Sequence, residues 1–182
     1  MAPLAAGRCW HATRASAFLL RSGKEKSDTG TSVARGYRLR EFLFGCAGQY
    51  AAAIQVSDDR NGSLNVQFDG EALSRAAITR LEKVIGAVEL RCGIARTSVG
   101  SFATHQPNPR LLTLLAKQCG VPEEAFPPIC RTTGNLGSSM CGAALHAALQ
   151  AASQLPEADR KPTFLASLGP GLLFGGSWLT PV

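Results

Sequence analysis

The sequence of 182 residues lacks several features that would place it in a common class of proteins. No run of about 18 uninterrupted apolar residues occurs, so we expect no membrane span. The six cysteines contain no C-x-x-C pair, which removes the usual support for a zinc site or a thioredoxin-like redox site. An apolar signal-peptide core is also missing. We therefore expect reduced thiols in an intracellular compartment, either the cytoplasm or an organelle such as a plastid or mitochondrion.

Acidic residues are absent from the beginning of the chain. Residues 1–24 hold four basic residues and no acidic one, whereas the rest of the chain holds 15 basic and 13 acidic residues. Most of the net charge of +6 therefore comes from this segment, and the small excess elsewhere does not predict a nucleic-acid partner. An acid-poor basic segment is typical of an organelle transit peptide. The alternative for residues 1–36 is a disordered or poorly structured N-terminal extension.

After this segment, alternating apolar residues and turn signals predict strands. The first three predicted strands are Arg40–Cys46, Tyr50–Val56 and Ser63–Phe68. The Asn61-Gly62 pair predicts a hairpin turn between the second and the third strand. The alternation in the third strand predicts that every second side chain, from Leu64 to Phe68, points into the core.

Helical spacing of apolar residues predicts three helices, and further strands complete the domain. The predicted helices are Glu71–Leu90, Pro107–Cys119 and Ala143–Ser153. The remaining predicted strands are Ser98–Thr104, Pro127–Arg131, Thr163–Leu168 and Leu172–Leu179. Because Ala143–Ser153 consists almost entirely of small apolar residues, we expect this helix to be buried on all sides. Together these elements predict an α/β domain over residues 37–182, in which helices cover a mixed β-sheet.

Three motifs carry chemistry-bearing residues in the second half of the chain. They are HQPNPR at His105–Arg110, GNLGSS at Gly134–Ser139 and GPGLLFGG at Gly169–Gly176. Taken separately, each has a structural explanation: a hydrogen-bonded histidine at a strand end, an asparagine in a left-handed turn, and a hairpin turn. Taken together, in this order and at this spacing, they resemble the C-terminal half of β-ketoacyl-acyl-carrier-protein synthase III, a member of the thiolase-fold superfamily. The resemblance extends from about Arg40 to the C-terminus.

The resemblance implies half of a thiolase fold and a set of site residues. It implies that His105 and Asn135 donate hydrogen bonds to the enolate formed when a malonyl thioester loses carbon dioxide. It implies that the backbone amide of Gly171 binds the oxyanion of acyl transfer, and that Arg110 contacts acyl carrier protein. The implied reaction is the decarboxylative condensation of an acyl thioester with malonyl-acyl carrier protein in fatty-acid or polyketide synthesis.

The sequence departs from the family in its nucleophile. In the family, a cysteine of the N-terminal half takes the acyl group, and we expect that half to be absent here. Cys46 stands where the family often has aspartate, in the wrong half to be the nucleophile. Cys141 lies in an alanine-rich helix, where an inert buried thiol is expected. The alternatives to an enzyme domain are therefore a non-catalytic partner subunit, a pseudoenzyme or a truncated gene product.

The resemblance also sets expectations for ligands and partners. We expect no bound cofactor and no metal, with coenzyme A or acyl-carrier-protein thioesters as the substrates. The expected partners are acyl carrier protein and either a nucleophile-bearing thiolase-fold chain or a second copy of this one.

Overall fold

The computed structural model describes residues 37–58 and 61–181, and the predicted segment 1–36 lies outside them. The strands are β1 (Tyr37–Cys46), β2 (Ile54–Asp58), β3 (Leu64–Phe68), β4 (Ser101–Thr104), β5 (Thr163–Gly169) and β6 (Leu173–Pro181). The helices are α1 (Gly70–Cys92), α2 (Pro109–Cys119), α3 (Ile129–Thr133) and α4 (Met140–Ser153). In this part of the chain, no helix combines the length and the apolar character that a membrane crossing requires.

Four strands form one mixed sheet in the order β1-β6-β5-β4. Strands β4 and β5 run parallel, whereas β6 is antiparallel to both of its neighbours, β5 and β1. The carboxyl ends of β4 and β5 therefore lie at the same edge of the sheet. The predicted α/β class with a mixed sheet and covering helices is confirmed.

A core of large side chains joins the sheet to α1 and α2. Phe164 lies at its centre, with ring centroids 5.9 Å from Phe102 on β4 and 5.0 Å from Trp178 on β6. All three aromatic side chains are fully buried. Val84 and Ile85 present the apolar face of α1 to the same cluster. Burying each such side chain contributes roughly 1.5–3 kcal/mol, so this cluster is the main source of stability.

Helices α1 and α2 each begin after a side-chain cap and end before a glycine, and both kinds of residue can be recognised in the sequence. The Asp69 carboxylate accepts a hydrogen bond from Ala72 N at the start of α1 (3.0 Å), and Asn108 Oδ1 accepts one from Leu111 N at the start of α2 (2.9 Å). Gly93 and Gly120 follow the helices with left-handed backbone angles. The predicted start of α2 at Pro107 is two residues too early. Asn108 caps the helix, so its first helical residue is Pro109.

Three strand predictions are wrong in part or in full. The predicted strand Ser98–Thr104 begins only at Ser101, because Arg96–Ser98 is a 3₁₀ turn. Gly48–Ala53 is a short 3₁₀ helix, so the second strand begins only at Ile54. Pro127–Arg131 is not a strand, because Ile129–Thr133 forms one helical turn instead. Prolines 127 and 128 have no N–H group to give to a sheet, and Gln106 takes two of the remaining backbone groups of this segment.

The hairpin of β2 and β3 is confirmed, but its predicted orientation is wrong. Within the described residues, the two strands pair only with each other, as a separate two-stranded sheet. Leu64, Val66 and Phe68 share one face as predicted, yet their exposed fractions are 73%, 44% and 65%. Alternation fixes which side chains share a face, whereas burial depends on what packs against that face.

Helix α4 is buried on one side rather than on all sides. Ala144 and Leu145 pack against Ala103 and Leu179 on the sheet face opposite α1. His146 and Gln150 on the other side of the helix are exposed. The apolar composition of this helix therefore exceeds what its packing within the described residues requires.

Candidate active site

His105 lies directly after the carboxyl end of β4. Its backbone N–H donates to Ala166 O of β5 at 3.2 Å, so the parallel pairing of the two strands continues to this residue. Burial lowers the pKa of the His105 imidazole below its usual value of 6.5. The ring is therefore neutral near pH 7, with one N–H donor and one acceptor nitrogen.

The lowered pKa of His105 predicts a pH dependence of stability. The unfolded chain binds this proton more readily than the folded chain, so stability is fully present above about pH 6.5 and falls as the pH drops below it. We expect denaturant melts at about pH 5.5 to show a lower free energy of unfolding than melts at about pH 7.5. The variant His105→Gln should show a smaller difference between the two conditions.

The matched control for this titration is His146→Gln, which removes the exposed histidine of α4. It should leave the pH dependence of the free energy of unfolding as in the parent chain. An equal effect of both substitutions would show that burial of His105 is not the cause.

Asn135 lies in the loop between α3 and α4. Its Oδ1 atom accepts a hydrogen bond from Gly137 N at 2.9 Å, which closes a tight turn two residues long. The flanking Gly134 and Gly137 both have positive φ angles, 69° and 58°, that side-chain-bearing residues rarely adopt. Because the turn uses the amide oxygen, the exposed side chain offers its NH₂ group, a hydrogen-bond donor, to a ligand.

Gly171 lies in the short turn that joins β5 to β6. Its φ of 69° is left-handed, and the following Leu172 is left-handed as well, with φ 49°. The turn is attached to the end of β1, because Ala47 N donates to Leu172 O at 3.1 Å. Cys46 Sγ also donates to Gly171 O at 3.7 Å. These contacts hold the peptide groups of the turn in place without any contribution from a side chain at position 171.

The backbone places two of the predicted site residues, His105 and Gly171, at one end of the sheet. His105 and Gly171 follow the carboxyl ends of the paired strands β4 and β5. The loop of Asn135 leads into α4, where Cys141 Sγ donates to Ala166 O at 3.4 Å. This is the carbonyl that also accepts from His105 N, so the start of α4 and the residue after β4 both contact β5. Arg110 is separate from this group, as an exposed residue in the first turn of α2.

The described cysteines are free thiols, and burial makes four of them poorer nucleophiles. Burial raises the pKa of Cys92, Cys130 and Cys141, and it raises the pKa of Cys119 to about 11. A catalytic cysteine requires the opposite shift, because the thiolate is the reactive form. The fifth described thiol, Cys46, is exposed and donates its hydrogen bond to the Gly171 turn.

Gln106 in the HQPNPR motif is a further functional candidate, to which the sequence pattern assigned no role. Gln106 is fully buried, and both ends of its amide are hydrogen-bonded to the segment before α3. Its position could have identified it, because a large polar residue stands there between a histidine and two prolines.

A broad apolar face of the sheet lies beside these residues. Phe42 and Phe44 stack on each other with centroids 6.0 Å apart and are 54% and 77% exposed. With Leu173 and Ser167 they line a groove of about 400 Å³ that reaches Gly169, two residues before Gly171. Among the described residues, the sheet on this side thus presents an exposed apolar surface next to the turn of Gly171.

Comparison with known proteins identifies a matching family. The family described as 3-oxoacyl-[acyl-carrier-protein (ACP)] synthase III C terminal matches residues 91–180. A β-ketoacyl-[acyl-carrier-protein] synthase III of Streptococcus equi subsp. zooepidemicus is 28% identical over 145 residues, which are 80% of this chain and 43% of that protein. The protein of the same description from Coxiella burnetii is 24% identical over 135 residues, 72% of this chain and 41% of that protein.

Solved structures show the same fold. The synthase III of Thermus thermophilus superposes with a TM-score of 0.68 at 22% identity, covering 82% of this chain and 48% of that chain. The priming β-ketosynthase of the R1128 polyketide pathway superposes with a TM-score of 0.66 at 24% identity, covering 82% and 46%. This chain spans less than half the length of each of these relatives. Residues 91–180 therefore carry the C-terminal domain of the 3-oxoacyl-[acyl-carrier-protein] synthase III family, and the structure has the fold of the corresponding half of these synthases.

Proposed function

We propose that this chain supplies the enolate-stabilising half of a decarboxylative condensing site. The reaction begins with cleavage of the bond between the malonyl α-carbon and its carboxylate. Carbon dioxide leaves, and the electron pair of that bond forms an enolate whose negative charge lies largely on the thioester oxygen. Two neutral donors, the imidazole N–H of His105 and the NH₂ group of Asn135, stabilise that oxygen without protonating the α-carbon.

The observation that carries this proposal is the neutral His105 at the carboxyl end of β4. A charged imidazolium would be an acid able to quench the enolate, whereas a neutral ring donates a hydrogen bond and keeps its proton. The burial that lowers the pKa of His105 selects the neutral form. The turn that fixes the oxygen of Asn135 selects the donor end of that side chain.

Gly171 has a separate role in the proposal. Its backbone N–H stabilises the tetrahedral oxyanion that forms when an acyl group moves between thiols. A backbone donor requires a fixed peptide orientation, which the left-handed turn and its bonds to Cys46 and Ala47 support.

The nucleophile of the complete reaction comes from another thiolase-fold half in this proposal. The raised pKa values of the buried cysteines support this assignment, because they oppose attack on a thioester. The exposed apolar face around Phe42 and Phe44 supports a protein partner, because a patch of this kind marks an interaction surface. That partner is a nucleophile-bearing chain or a second copy of this one.

The substrates in this proposal are coenzyme A or acyl-carrier-protein thioesters, with no bound cofactor. Arg110 is the carrier contact. A cation in the first turn of a helix opposes the helix dipole, so helix stability does not explain an arginine there. An exposed positive charge at this place does suit an acidic carrier protein.

The test is the decarboxylation of malonyl thioesters by the purified chain. We expect malonyl-coenzyme A to yield acetyl-coenzyme A faster than in a chain-free blank. The variant Arg110→Ala should keep this rate but turn over malonyl-acyl carrier protein more slowly. A parent rate equal to the blank would overturn the enolate role. An equal response of both substrates to Arg110→Ala would overturn the carrier contact.

A non-catalytic subunit is the second candidate function, and the uncovered Phe42–Phe44 face favours it. In that case the chain binds a complete synthase through this face and contributes no turnover of its own. Loss of binding in Phe44→Ser, together with a decarboxylation rate equal to the blank, would favour this function.

A further inference from the structure

Gln106 connects the His105 strand end to a distant loop through both ends of its side chain. Its Nε2 atom donates to Pro127 O at 2.7 Å, and its Oε1 atom accepts from Cys130 N at 3.2 Å. The side chain is 0% exposed. A buried amide is costly unless its donor and its acceptor are both used, and here each is.

The loop that Gln106 holds leads directly to Asn135. Cys130 belongs to α3, the single helical turn that ends at Thr133 and is followed by its cap residue Gly134. Gly134 N donates back to Cys130 O at 3.1 Å, and Thr133 Oγ1 donates to Ile129 O at 2.9 Å. These bonds make a compact segment, so a displacement of Cys130 is passed on to the asparagine turn rather than absorbed before it.

Strand pairing cannot hold the start of this segment, although Cys130 also packs in the core. Pro127 and Pro128 lack the N–H groups with which a strand would pair. An apolar side chain at position 106 would fill the same space but would remove the acceptor of the Cys130 N–H, and it would leave the carbonyl of Pro127 with Ile129 N as its donor. The choice of glutamine therefore follows from the loop that it holds rather than from the volume to be filled.

We propose that Gln106 is a positioning residue that sets the spacing between His105 and the loop of Asn135. This inference rests on the proposed function, in which both residues donate to one enolate oxygen. Donors to one atom must keep their mutual geometry, and a misplacement of about 1 Å costs on the order of 100-fold in rate. Gln106 makes no contact with substrate in this role and acts through its neighbours.

The test compares Gln106→Met and Gln106→Glu with the control Gln118→Met, which alters an exposed glutamine of α2. Methionine keeps the length of the side chain but makes neither hydrogen bond. We expect kcat for malonyl-coenzyme A decarboxylation to fall by about tenfold or more while KM changes by less than about twofold. We also expect faster amide hydrogen exchange in residues 129–137, with the parent rates in Gln118→Met.

The variant Gln106→Glu tests whether a side chain with the same donor and acceptor can restore the activity. A protonated carboxyl has one donor and one acceptor, like the amide, whereas an ionised carboxylate has acceptors only and would oppose the carbonyl of Pro127. Burial favours the protonated form. The activity of Gln106→Glu relative to the parent chain, measured at each pH, should therefore rise as the pH falls from about 8.5 to about 6. The parent chain is measured at the same pH values because burial also lowers the pKa of His105.

The outcomes separate this inference from the proposed function. Parent-like kcat and exchange rates in Gln106→Met would overturn the positioning role. A kcat loss in Gln106→Glu that does not change with pH would overturn it as well. If the parent chain shows no decarboxylation, the proposed function fails. The NMR signal of the Asn135 side-chain NH₂ group then tests the positioning role of Gln106. A signal that moves in Gln106→Met and returns in Gln106→Glu at low pH supports the positioning role, whereas an unmoved signal contradicts it.

Discussion

Replacing either His105 or Asn135 by alanine is expected to slow malonyl-coenzyme A decarboxylation by about 100-fold or more. Removing one preformed donor to a developing oxyanion has an effect of this size, because the remaining donor does not replace the lost hydrogen bond. The measurement is the initial rate of acetyl-coenzyme A formation at saturating substrate. Since the donors stabilise the transition state more than the ground state, kcat should fall while KM changes little.

The double variant, with alanine at both His105 and Asn135, tests whether the two side chains donate to the same oxygen. If both residues act on one oxygen, removing the second donor should slow the reaction by less than removing the first. The substitution Asn135→Asp should be as harmful as Asn135→Ala, because a carboxylate is an acceptor and repels the enolate. Independent, multiplicative losses in the double variant would contradict the shared oxygen.

Replacing Gly176 by alanine is expected to destabilise the domain by about 3 kcal/mol. Gly176 lies in β6 between Ala166 of β5 and Leu43 of β1. A Cβ atom at this position would overlap Val84 Cγ1 of α1 and lie 3.0 Å from Phe164 Cζ. Val84 is β-branched and fixed on a helix, so α1 would have to move away from the sheet. Urea denaturation measures the loss as a lower midpoint.

Gly70→Ala is the matched control for this substitution. No atom lies within 4 Å of a Cβ built at Gly70, and its backbone angles are accessible to alanine. Alanine is also the better helix former, so stability should be unchanged or slightly higher at the start of α1. Equal midpoints for Gly176→Ala and the parent chain would contradict the close contact between α1 and the sheet.

The long elements of the fold were predictable because local signals and packing agree in them. Helix α1 has apolar residues at helical spacing between Asp69 and Gly93, and the structure buries the same side of the helix. The pair β5 and β6 was predictable because a turn sequence separates two apolar runs. In both cases the information lies within a few residues of the element that it specifies.

The errors arose where a distant residue decides the local structure. The turn of α3 depends on Gln106, which lies 24 positions before Cys130 and is invisible to any local pattern. Whether Phe68 and the outer side of α4 are buried depends on which protein surface packs against them. Sequence periodicity identifies an apolar face but does not identify its partner.

The site residues were predictable only as a set. Neither a histidine after a strand nor an asparagine in a glycine turn has a specific meaning alone. The order and spacing of the three motifs produced the assignment of the family, and the family match over residues 91–180 confirms that assignment. The role of each residue within the set stays a prediction that the alanine substitutions above test.

The chain is expected to stabilise an enolate without itself carrying the acyl group. Intact-mass analysis after incubation with acetyl-coenzyme A and isotopically labelled malonyl-coenzyme A tests both parts of this expectation in one sample. The predicted result is labelled acetyl-coenzyme A from decarboxylation, with no acetoacetyl product and no acyl adduct on the protein. A stoichiometric acyl adduct on Cys46 or Cys141 that disappears on replacement of that cysteine by serine would contradict this expectation.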